Sequence, residues 1–146
     1  MKKLIKYNES IKEKQEKQEK PQDQLVIGCE TGSIELVKLA LENGADINKR
    51  DIHGHLALTE ACRKKNLKLI KYLVSLGSDL NAYDRDRDTA LTMSAIFGNI
   101  EIIKFLVENG SDIFFKGSGN QNALSGAANN LHYDVVEYLL NKMRNM

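Results

Sequence analysis

Two cysteines, one proline and three histidines among 146 residues leave little material for several common chemistries. A disulfide framework is excluded, because Cys29 and Cys62 recur at matching positions of a repeat where a small buried apolar residue is needed. Thiols kept in that way suit a reducing compartment, such as the cytoplasm or the interior of a host cell. No apolar run reaches membrane-spanning length. Lys2, Lys3, Leu4 and Ile5 begin like a secretion signal, but Lys6, Asn8 and Glu9 interrupt any apolar core. Neither sign of charge dominates, the formal net charge being +1. A soluble chain is expected.

Catalytic constellations are equally scarce. The sequence contains no glycine-rich phosphate loop, no nucleophile with a neighbouring base and no convergent carboxylate pair. Gly117 and Gly119 are an isolated pair in a turn. The run from Asp84 to Asp88 imitates the start of a calcium loop, yet Thr89 stands where that loop needs glycine and Ala95 where it needs glutamate. His53 and His55, with Asp51, could supply metal ligands, but two histidines one residue apart on an exposed turn read better as surface contacts. No catalytic residue, metal or cofactor is therefore expected.

What the chain does have is periodicity. Leu25, Leu58, Leu91 and Leu124 stand 33 residues apart, and the period holds column by column. Cys29, Cys62, Ala95 and Ala128 share one column; Val37, Ile70, Ile103 and Val136 share another. Within each unit, apolar residues at spacings of three and four predict two helices. Gly44, Gly77 and Gly110 follow the second helix, where a left-handed closing residue is needed. Asp23, Thr89 and Asn122 precede the first helix as candidate N-caps, whereas Leu56 in that column cannot cap. Short polar stretches such as 78–88 predict protruding hairpin-like turns.

The segment TALTMSAIFGNIEIIKFLVENGSDI resembles an ankyrin repeat, and the endings GADIN, GSDLN and GSDI recur at the matching offset. The resemblance covers about residues 22–146 and implies an all-α solenoid of helix-turn-helix units, with boundaries 22–48, 49–81, 82–114 and 115–146. Two departures stand out. The family's proline column holds Gln24, Ala57, Ala90 and Ala123, and its histidine column holds Val26, Thr59, Thr92 and Ser125. Unit four closes at Met143 instead of glycine, and Val135 and Tyr138 are expected to leave apolar surface at that end of the stack. His132 matches the histidine of the family's Gly-His turn and implies a structural role, although Leu131 replaces the glycine.

Residues 1–21 differ in kind, with seven lysines against four glutamates. Glu13 with Lys17 and Glu16 with Lys20 are spaced for helical pairs; Leu4, Ile5, Tyr7 and Ile11 could cap unit one, or the segment could be a solvated tail ended by Pro21.

Function then falls to the surface. The resemblance implies partner contacts on the turns, at Arg50, Ile52, His53, His55, Tyr83, Arg85, Asp86, Asp88, Lys116, Ser118 and Gln121. On the first helices it implies Glu30, Thr31, Arg63, Lys64, Ile96, Phe97, Asn129 and Asn130. Tyr83, Ile96 and Phe97 place apolar groups where a spacer would be polar, with Arg50, Arg63 and Lys64 as a charged rim. The expected role is a non-catalytic scaffold binding another protein by its concave face, as a monomer or with weak self-association. An inhibitor or immunity-type protein that blocks an enzyme is a special form of that reading. From a different class, nucleic-acid binding would use the lysine-rich tail with Arg50, Arg63 and Lys64. The tail's glutamates and the slightly acidic repeat body weigh against it.

Overall fold

The computed structural model describes residues 1–6, Glu9 and 20–146. The Glu13–Lys17 and Glu16–Lys20 pairs, and any capping contacts of Tyr7 and Ile11, lie outside these residues. Leu4 and Ile5 are exposed, so neither covers unit one.

From residue 20 the chain forms four helical hairpins. These are α1 (Pro21–Thr31) with α2 (Ile34–Glu42), α3 (Ala57–Arg63) with α4 (Leu67–Ser75), α5 (Ala90–Phe97) with α6 (Ile100–Glu108), and α7 (Ala123–Asn129) with α8 (Tyr133–Arg144). The first helices form one layer, α1 against α3, α3 against α5 and α5 against α7; the second helices stack behind them. The fold is an all-α repeat solenoid.

Residues with a physical reason to be there mark the ends of each element. Thr89 and Asn122 cap α5 and α7, each accepting from the third amide in a reciprocal capping box. Leu56 supplies no cap to α3. Asp23, expected as the cap of α1, lies inside it. That helix starts at Pro21, and Lys20 in the cap position before it makes no side-chain cap. Proline at the first helical position loses no hydrogen bond and has its backbone preset for a helix, so it begins α1. The Asp23 carboxylate instead accepts from the Ile52 amide at 3.3 Å.

Second-helix caps are a regular feature that the column reading overlooked. Ser33, Asn66 and Asn99 each accept from the amide three residues on, at 3.1–3.2 Å. After these helices Gly44, Gly77 and Gly110 take φ of 100°, 98° and 103°. The next residue's amide then reaches back to close the last turn, Ala45 to Ala40, Ser78 to Leu73 and Ser111 to Leu106.

The repeating columns build the core. Leu25, Leu58 and Leu91, Cys29, Cys62 and Ala95, and Val37, Ile70 and Ile103 are all buried. In unit four the same columns loosen: Leu124 and Val136 are half-buried and Ala128 is exposed. Val135, expected at the open end, is fully buried and faces the core, while Tyr138 is half-buried. The exposed apolar groups there are Leu131 and Tyr133.

Two side-chain ladders tie unit to unit. Asn48 accepts from the Asp79 amide at 2.7 Å and donates to the Gly77 carbonyl, and Asn81 repeats both bonds one unit on, to Asp112 and Gly110. Gln22 starts this ladder by accepting from the Asp46 amide at 2.9 Å. Phe114 ends it, having no side-chain amide to offer. On the second helices, the ammonium groups of Lys38, Lys71 and Lys104 lie over the rings of Tyr72, Phe105 and Tyr138, at 5.7–5.9 Å. Glu137 takes the lysine column in unit four.

Candidate partner-binding face

Turns between units carry most of the expected contact residues, and buried aspartates shape them. Asp51 accepts from the amides of His53 and His55 at 2.9 and 2.8 Å; Asp84 accepts from Asp86 and Asp88 at 2.9 and 3.0 Å. Each backbone loop is closed by amide-to-carbonyl pairing, Asp51 with His55 and Asp84 with Asp88, and Tyr83 bridges Thr89 in antiparallel fashion. These are the hairpin-like turns that the sequence predicts. In unit four Gly117 takes the aspartate's column, and the loop closes through Gly117 to Gln121 at 2.7 Å with a short 3₁₀ turn at Ser118–Asn120.

Neighbouring turns brace one another. The Arg85 amide donates to Gly54 at 2.9 Å and its guanidinium to the His53 carbonyl at 3.2 Å, while Arg87 reaches the Lys116 carbonyl at 3.3 Å. At their tips Arg50 donates twice to the Tyr83 carbonyl, at 3.0 and 2.7 Å, and lies over the Tyr83 ring. Tyr83 stacks on Phe115 with centroids 5.8 Å apart, and Arg87 covers both rings. Arg50 and Tyr83 were legible as site residues, but Arg87 and Phe115 were not. Both sit one unit on from columns that carry no aromatic or arginine in a neighbouring repeat, so periodicity offers no signal for them.

The helical half of the face is more mixed. Glu30, Thr31, Lys64, Asn129 and Asn130 are exposed at the ends of the first helices. Phe97 is 37 % exposed at the end of α5. Ile96 is half-buried against Gly126 of α7, and its carbonyl bonds to His132 Nε2 at 2.8 Å. The expected trio therefore divides: Tyr83 belongs to the turn-tip stack, Ile96 to an interhelical contact, and Phe97 to the helix edge. Arg63 lies 3.6 Å from Glu60, a buried carboxylate that the column reading did not flag. Asp88 hydrogen-bonds Thr92 at 3.4 Å. Its pKa is raised by burial and by the Asp84 carboxylate.

Reactive chemistry is muted. Burial pushes the Cys29 and Cys62 thiols up to about 12, with Glu60 reinforcing the effect at Cys29, so both stay protonated and inert at neutral pH. Among the described residues no three His, Cys, Asp or Glu side chains gather around a common point. His55 Nδ1 instead sits 3.6 Å from Asp51 within its own turn. No helix of the described residues is long and apolar enough to cross a membrane.

Stacked helical hairpins, protruding turns and side-chain ladders between units define a solenoid repeat protein. The family model for ankyrin repeats (3 copies) matches residues 1–84 and again 76–146, and the chain belongs to the ankyrin repeat family. Repeats of this family are generally protein–protein interaction modules and typically non-catalytic. No match was found among curated proteins.

Proposed function

We propose that this chain is a non-catalytic scaffold that holds a protein partner against its concave face and turn tips. The observation that carries this reading is the division of labour within the repeat. Column residues fill the core, and braced turns gather Arg50, Tyr83, Arg87 and Phe115 into one stack at their tips. Preformed surfaces of aromatic and arginine groups suit tight protein contact, because little side-chain entropy remains to be lost on binding. Blocking an enzyme with the turns is a special form of the same activity.

The test is affinity capture from a lysate of the source cell with wild type and a Tyr83→Ala/Phe97→Ala variant, with thermal melts on both. A protein held by the wild type and released by the variant, with Tm little changed, supports the reading. Equal retention by both chains would place binding elsewhere.

A further inference from the structure

Because the chain is a repeat, the columns at the junction of a first helix and the following turn recur three times, and their residues can be compared directly. In the second cleft, between α3 and the 84–88 turn, the residues are Glu60, Arg63, Asp84 and Asp88. There the protein supplies its own cation: Arg63 lies 3.6 Å from the buried Glu60. One unit further on, the same columns hold Met93, Ile96, Gly117, Ser118 and Gln121, none of them charged.

The first cleft is different. It is an open cavity of about 380 Å³ between α1 and the 51–55 turn, lined by the apolar Val26, Ile27 and Ile52, by the carboxylates of Asp23, Glu30 and Asp51, and by His53 and His55. Glu30 stands in the column of Arg63, so a carboxylate occupies the place where the second cleft carries its guanidinium. No lysine or arginine of the described residues lines it. Asp23 is committed to the Ile52 amide and Asp51 to its own turn, while Glu30 makes no hydrogen bond or ion pair with any described residue. Ile52 is 69 % exposed at the rim. An apolar floor with a carboxylate edge matches a side chain that has an aliphatic stem and a cationic head.

We infer that this first cleft receives an arginine or lysine side chain of the partner. The stem lies over Val26, Ile27 and Ile52, and the cationic head meets Glu30, with Asp23 and Asp51 adding to the local negative potential. This deepens the proposed protein-binding role and rests on it. The partner segment it fits is basic at this end of the concave face.

The test is an amide-resolved NMR titration of the full chain with Nα-acetylarginine amide, using Nα-acetylnorleucine amide as the uncharged control. Expected are saturable shifts at the Ile52 and His53 amides and along residues 26–30 with the arginine probe, and much weaker ones with norleucine. Glu30→Gln should weaken binding roughly tenfold, the size of one partly desolvated charge contact. Glu30→Arg, which puts a guanidinium in the column that Arg63 holds one unit on, should abolish it; Glu30 is exposed, so both variants should fold. The inference is overturned if the wild type shows no saturable shift, as it would if the chain's own lysines already filled the cleft. It is equally overturned if norleucine binds as well, or if Glu30→Arg still binds. A captured partner that needs Tyr83 and Phe97 but ignores Glu30→Arg would overturn the cation assignment and leave the scaffold reading intact.

Discussion

At the scale of single residues, the repeat columns make the protein its own control. Cys62 shares its column with Ala95, so Cys62→Ala is a substitution the fold already uses one unit away. Unfolded thiols ionise near their ordinary value of 9.0, while the folded ones hold their protons to about 12. Their contribution is therefore complete below pH 9 and is lost as pH rises toward 12, because the unfolded state releases protons first. Each thiol steepens the fall by at most ~1.4 kcal/mol per pH unit. Urea unfolding of wild type and Cys62→Ala across that range should show the variant losing stability less steeply. Gly98 offers a second comparison. It has φ of 81°, and a Cβ there would collide with the His132 ring. Gly44 has φ of 100° with open space around it. Alanine at Gly44 should cost only the left-handed backbone term, ~1–2 kcal/mol, and at Gly98 that amount plus the displacement of His132. Equal losses at the two sites would mean that His132 moves aside freely.

Among elements, the question is how much a helix owes to its own ends. α3 is the one first helix whose cap column holds Leu56, and a cap is worth ~1 kcal/mol. Installing Thr89's residue type there looks like an improvement until burial is counted. Leu56 is buried, and giving up that apolar contact costs about 1.5–3 kcal/mol. Leu56→Thr should therefore destabilise by roughly 1 kcal/mol on balance, read as a lower urea midpoint; a rise would mean that the cap outweighs packing. Sequence reading was strongest for this kind of local signal. The closing glycines, the caps Thr89 and Asn122, and the buried leucine and cysteine columns all followed from periodicity and backbone chemistry. Asp23 was misplaced because Pro21, preset for the first helical position, starts the helix earlier than the column implies. Ladder asparagines and the buried Glu60 stayed hidden because their roles depend on residues a whole unit away. On the face itself, the column pattern gave positions but not partners. It could name Arg50 and Tyr83, but it could not tell that Arg87 and Phe115 complete their stack or that Ile96 turns to α7.

For the whole molecule, a solenoid shares stability between neighbours, and the end with the weaker interface opens first. Symmetry would suggest that both ends fray alike, yet the structure distinguishes them. Unit one keeps Leu25, Cys29 and Val37 fully buried and is joined to the stack through Gln22. In unit four Leu124 and Val136 are half-buried, Ala128 is exposed, and Leu131 holds a left-handed φ of 62° without being glycine. The turn before it also lacks the aspartate that locks the other two. Each difference removes burial or adds strain at the same end, so their effects reinforce one another. Native-state hydrogen exchange should therefore show α7 amides opening at lower free energy than those of α1, with α3 and α5 the slowest. Leu131→Gly, which relieves the strained residue, should slow exchange in α7 while leaving α1 unchanged. If α1 exchanged first, unit one's burial would not be translating into local stability, and the Gln22 link would be contributing little to holding it in the stack.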